Sequence, residues 1–116
     1  MAQKIHGVVL LPEPCGLREA NVAVQIIDAS VMDIRAPILA ETRFTGAIHG
    51  AREIAFVIDT PAHEFEGRDL RVVAEVLADP GGRVAAGDYL TMTSVRFEPH
   101  ADRPLRVPVE KVRPQR

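Results

Sequence analysis

Residues 21–41 read NVAVQIIDASVMDIRAPILAE, an alternating apolar segment, a polar turn, and a second apolar segment. In the first part Val22, Val24 and Ile26 recur every second residue, the period that puts one set of side chains on one face of a pleated strand. Asp28, Ala29 and Ser30 then supply turn chemistry, because short Asp and Ser side chains bond to nearby amides and compete with the ladder. One helical turn capped by Asp28 or Ser30 fits before Pro37, which prevents extension. A strand over 38–45 completes a two-strand unit.

The same spacing continues along the chain. Short apolar segments separated by Pro, Gly and Asp clusters recur at 4–11, 21–28, 38–45, 52–59, 69–79, 87–97 and 105–112. That rhythm belongs to a sandwich or barrel. The fold class expected is all-β: a single-domain antiparallel β-sandwich of about seven strands, immunoglobulin/transthyretin-like, over residues 1–112, with a basic tail at 113–116. The core sets are Ile54, Phe56 and Ile58 on one strand and Leu70, Val72, Ala74, Val76 and Ala78 on another. Asp79-Pro80-Gly81-Gly82 predicts a turn closing a hairpin, since Pro sets φ for its first corner and glycine accepts the second. Pro108 cannot donate to a ladder and places the last strand at a sheet edge. The basic end from Lys111 to Arg116 is expected to fray.

Composition narrows the functions. An apolar fraction of 47% with 26% charged residues is that of an ordinary globule, and 116 residues make one core. A net charge of −2 and the absence of Trp leave neither a positive field for phosphate backbones nor platforms for stacked bases, so no nucleic-acid partner is expected. The single cysteine, Cys15, makes no internal disulfide and implies reducing surroundings. The apolar run from Val8 stops at Pro12, too short for a signal peptide or a membrane span. If Met1 is the native start, the location expected is cytoplasmic; if an upstream signal was removed, it is periplasmic or in the envelope.

Taken in order, several pieces resemble the YbaY/YscW-type family: Ile5-His6-Gly7-Val8-Val9, then Val22 to Ser30, Asp33, Ala36 to Glu41, Ile54-Ala55-Phe56, Val72 to Val76, and Gly87-Asp88 leading to Thr91 and Thr93. The resemblance covers most of the chain and rests on the order and spacing of the pieces. It implies a β-sandwich and a chaperone- or pilotin-like role; one member is a lipoprotein that serves the outer-membrane secretin of type III secretion. It carries no catalytic residues. Cys15 departs from the lipoprotein pattern, because Leu11-Pro12-Glu13-Pro14 precede it where an apolar signal would stand.

Other constellations favour plain readings. His6, His49, His63 and His100 lack the i, i+2 or i, i+4 spacing of a metal pair, and His63 to Glu66 lacks the second histidine of a zinc protease motif. They leave a metal or small-ligand binder as a minor alternative. Ser30, Ser94 and Cys15 have no base or strained elbow beside them. Asp28 with Asp33, and Glu64 with Glu66, are the carboxylate pairs of turns and solvated faces. Gly81 and Gly82 precede a strand, whereas a phosphate cradle needs a helix N-terminus. No cofactor is expected, and the chain reads as a non-enzyme.

What remains is the second face of the central strands, where Ala55, Val57, Val73, Leu77 and Ile27 are apolar. Loops over 12–20 or 61–68 would cover them in one reading. In the other, Ile27, Val57, Val73 and Leu77 centre a surface for a protein partner or a homodimer, because contiguous apolar patches mark association. An open edge strand offers a second route, by strand addition. The leading expectation is therefore a protein-binding or assembly module. The alternative is a small accessory subunit that stabilises a larger enzyme.

Overall fold

A computed structural model describes residues 2–30, 37–61, 69–97 and 104–114. Among them run β1 (Ala2–Leu10), β2 (Ala20–Asp28), β3 (Ile38–Gly46), β4 (Glu53–Pro61), β5 (Leu70–Leu77), β6 (Tyr89–Leu90), β7 (Val95–Arg96), β8 (Leu105–Pro108) and β9 (Glu110–Lys111). Two sheets form, a smaller one ordered β4-β1-β8 and a larger one ordered β3-β2-β5-β6-β9, with β7 also paired to β5. The chain is an all-β sandwich, and no helix occurs among the described residues.

The alternation that defines the strands also builds the core. Ile5 and Val9 of β1, Ile54, Phe56 and Ile58 of β4, and Val107 of β8 are buried from the smaller sheet. They meet Val22, Val24 and Ile26 of β2 and Leu70, Val72, Ala74 and Val76 of β5 from the larger one. Each large aliphatic side chain removed from water contributes roughly 1.5–3 kcal/mol. Ala78, expected in this set, lies past the end of β5 and is exposed. Cys15 is buried in the same cluster, fixed by backbone bonds from its amide to the Ala51 carbonyl (2.8 Å) and from the Gly50 amide to its own carbonyl (2.8 Å).

Five differences from the expected sandwich have local causes. The strand expected over 87–97 is split into β6 and β7. The Thr91 amide still bonds to the Ala74 carbonyl (3.0 Å), but the Ala74 amide is taken by the Thr91 hydroxyl (2.8 Å), which also donates to that carbonyl (3.2 Å), so a side chain stands where the next ladder bond would be. Residues 91–94 then stand opposite Val73 and Ala74 alone. The strand expected over 105–112 is split at Val109, because the chain leaves the smaller sheet after Pro108 and joins the larger one as β9. Pro108 does lie at an edge, on β8.

The sandwich is also not wholly antiparallel, since β8 runs parallel to β1; a strand reached by a crossover between sheets is not bound to a hairpin's direction. Finally, the turn at Asp79 forms, with the Gly82 amide bonded to the Asp79 carbonyl (3.1 Å), but pairing resumes only at Tyr89. Lys111, expected to fray, is held in β9 opposite Tyr89 and by its ammonium on Glu13 (3.3 Å).

The long open loop from β5 to β6 is organised by a buried carboxylate. Asp88 is 1% exposed. One of its oxygens accepts from the Ala78 amide (3.0 Å) and the other from the Ala85 amide (2.7 Å), so the loop is tied at both ends to one side chain. The Val112 amide bonds to the Asp88 carbonyl (2.8 Å) and the Gly87 amide to the Val112 carbonyl (3.0 Å), which clamps the end of β9 to this loop. Gly87 takes φ of 94°, a conformation that costs a residue with a Cβ. The buried Tyr89 hydroxyl accepts from the Gly16 amide (3.2 Å), fixing the connection between β1 and β2 across the same end.

Candidate partner-binding groove

The four residues expected to centre an interface divide between two faces. Ile27, Val73 and Leu77 lie on the outer face of the larger sheet. Val57, 41% exposed, lies on the outer face of the smaller sheet opposite His6, on the other side of the sandwich. Leu77 is only 1% exposed although it points away from the core. It lies beside the loop that follows β5: Asp79, Pro80 and Gly82 line a hollow of about 190 Å³ together with Leu77, Ala23 and Asn21. Ile27 and Val73 remain half-buried, at the surface.

These two form the floor of an open groove of about 540 Å³. Gln25, opposite Val73 across the ladder, lies between them and the charged rim; Gly81 and Gly82 make one wall, and Arg43, Glu75 and Ile38 complete the lining. Ile38 is placed there by a β-bulge. Register shifts between Ile26 and Ile27, so Ala40 faces Ile26 while Ile38 faces Ile27. Simple alternation would send Ile38 inward with Ala40; the extra residue turns it outward, 54% exposed.

The polar rim is organised. Arg43 Nε bonds to Glu41 (2.7 Å) and its guanidinium reaches Glu75 (4.0 Å) across the sheet. Gln25 donates to the other Glu41 oxygen. The Arg43 bond holds the Glu41 carboxyl below its ordinary range against a smaller opposing effect of burial, with Gln25 and the Arg43 charge adding to the lowering. The Glu41 hydrogen bond in turn raises Arg43. At the far end the Asn21 amide donates to the Leu77 carbonyl (3.4 Å) and its oxygen accepts from Thr45 (2.9 Å), joining β2 to both neighbours. An apolar floor beside ordered, complementary charges suits a segment with apolar anchors and polar flanks.

The catalytic candidates are not brought together. Cys15 is buried. Ser30 is bonded through its amide to Asp28 (3.0 Å) and through its hydroxyl to the same oxygen, an Asx turn that accounts for both side chains. His6 is exposed on β1 and His49 in the turn between β3 and β4, and no cluster of three His, Cys, Asp or Glu able to hold a metal occurs among the described residues. Asp33, His63, Glu64, Glu66 and His100 lie outside the described residues. No described helix is long and apolar enough to cross a membrane.

The rim escaped the sequence reading. Glu41 and Arg43 look like ordinary edge charges, and Ile38 looks inward-facing. The one available signal was Pro37 directly before the strand, a point where pairing with β2 starts irregularly.

No family model matches the chain, and no curated protein matches it significantly. The fold is nevertheless found among solved structures. An alternative pilotin from the type II secretion system of Vibrio cholerae superposes with a TM-score of 0.78 at 20% identity, over 98% of this chain and 100% of that one.

Proposed function

We propose that this protein is a non-enzymatic binding module that holds a segment of a protein partner in the groove over Ile27 and Val73. The observation that carries this reading is the groove itself: an apolar floor left open between a charged edge strand and a loop tied down by Asp88. The full-length fold likeness to a pilotin supports it, as does the resemblance of the sequence to the YbaY/YscW-type family. Both favour a chaperone- or pilotin-like task, escorting a subunit of a secretion assembly in the cell envelope. The segment bound would present one or two aliphatic or aromatic anchors to Ile27 and Val73 and polar groups to Arg43, Glu75 and Gln25.

Site-specific photocrosslinking in the native host tests this. A crosslinking residue at Val73 should trap one discrete partner, identified by mass spectrometry, whereas the same residue at Val57, on the opposite sheet, should not. Val73→Glu should weaken that complex by about thirtyfold, the effect of burying an uncompensated charge at an interface centre. It should leave the fold intact, since Val73 is at the surface. Equal trapping at Val57, or none at Val73, would reject the groove as the binding site.

A further inference from the structure

The edge of the larger sheet carries a pattern that complements itself. β3 is hydrogen-bonded to β2 and to no other strand among the described residues. An edge of nine residues is long for one left open, and proteins commonly blunt such edges with charged side chains, above all lysines, which carry one sign. Here the charges are of opposite sign, Glu41 and Arg43, two residues apart and so on one face.

We propose that β3 pairs antiparallel with β3 of a second copy about a two-fold axis at Thr42, continuing the larger sheet through both protomers. A two-fold axis perpendicular to the sheet keeps each copy's core face on the same side, so opposed residues share a face and the register must centre on one residue. Centring on Glu41 sets two carboxylates against each other, and centring on Arg43 sets two guanidinium groups against each other. Like charges directly opposite are destabilising. Centring on Ala40 leaves Glu41 against Leu39, and centring on Phe44 leaves Arg43 against Thr45. Only Thr42 puts Glu41 against Arg43 of the partner subunit and Arg43 against Glu41 of the partner subunit.

The inner face agrees. In that register Phe44 meets Ala40 of the partner subunit and Ala40 meets Phe44 of the partner subunit, a large residue against a small one on each side of the axis. Ala40, Thr42 and Phe44 point inward, toward Ile26, Val24 and Val22, yet they are only half-buried because the strand is terminal. A second β3 covers the open side of all three. The Arg43–Glu41 ion pair within each copy (2.7 Å) becomes half of a four-charge ladder.

Charge variants test the register without touching the core. The untagged protein should show a concentration-dependent dimer by sedimentation equilibrium. Glu41→Arg and Arg43→Glu, each leaving only one sign at the two positions, should each weaken it by roughly tenfold or more, as two attractive pairs become repulsive. Mixing the two variants should restore the dimer as a heterodimer, and the double variant Glu41→Arg/Arg43→Glu should dimerise like the parent. Thr42→Cys, a self-opposed position at disulfide distance, should cross-link on oxidation while Thr45→Cys does not. A protein monomeric up to about 1 mM, or a dimer indifferent to these changes in variants of unchanged circular dichroism, would overturn the proposal. The groove crosslink at Val73 is read separately, so loss of one result leaves the other standing.

Discussion

Gly7→Ala should lower the unfolding free energy by about 3 kcal/mol, the upper end of the cost of overpacking a core. Gly7 sits in the middle of β1, paired with Phe56 of β4 on one side and Leu105 of β8 on the other. A Cβ built there would lie 2.4 Å from Phe56 Cζ and 2.8 Å from the Leu105 carbonyl oxygen. The Phe56 ring, buried within the core, covers the space the glycine leaves. A methyl group therefore meets a fixed ring and a ladder carbonyl together. Backbone strain is not the cause, since Gly7 is not among the glycines at positive φ. Free of both contacts, the substitution would stabilise by about 0.4–1 kcal/mol through loss of unfolded-state entropy. Denaturant midpoints of Gly7→Ala, Phe56→Leu and the double variant check this. The double variant should recover part of the glycine loss, because the ring is relieved but the Leu105 carbonyl is not. A neutral or stabilising Gly7→Ala would mean that the ring does not rest on the glycine.

The same glycine shows how far a sequence reading reaches here. The alternation in β2, β4 and β5 identified the core positions of those three strands apart from Ala78, because a strand buried on one face has no choice about which set of residues it turns inward, but it did not identify the share of the core that comes from β1, β8, Cys15, Tyr89 and Phe97. It did not reveal that Gly7 needs to be glycine: that depends on which ring lies across it, and so on a pairing between residues about fifty apart in the chain. The broken strand near Thr91 was hidden for a related reason. A threonine is a good strand residue, and nothing local says that its hydroxyl will capture the Ala74 amide.

For the proposed binding face, period-2 reasoning put Ile27, Val73 and Leu77 outside the core-facing sets, which is where the sheet places them. It could not say that Val57 belongs to the other sheet, because periodicity assigns faces within a strand and not strands to sheets. Nor could it say that Leu77 is buried beside the loop that follows it, since that loop is tied by Asp88, a residue the spacing places in a strand. Ile38 and the Glu41–Arg43 pair became meaningful only with the bulge at Ile26 and the edge position of β3.

Asp88→Ala should be as damaging as Gly7→Ala, with a loss of about 3 kcal/mol, and should also disable the groove. Removing the carboxylate leaves the amides of Ala78 and Ala85 without the acceptors that now hold them (3.0 and 2.7 Å); both bonds are only partly buried, so each lost acceptor costs toward the lower end of roughly 1–3 kcal/mol, and the cavity left by the buried carboxylate adds to this. Asp88→Asn should fall between Ala and the parent, because its single oxygen satisfies one amide while its NH₂ meets the other donor to donor. Hydrogen exchange separates this from general weakening. The Ala78 and Ala85 amides should exchange much faster in Asp88→Ala than the amides of β2, because the loop opens before the sheet does. Since this loop supplies the Gly81–Gly82 wall and lies beside Leu77, its release should expose Leu77 and remove one side of the groove. The crosslink at Val73 should then be lost in Asp88→Ala under conditions where the fold persists. If the crosslink survives with the Ala78 and Ala85 amides unprotected, the wall is dispensable, and the partner must be held by the floor and the Arg43–Glu75 rim alone.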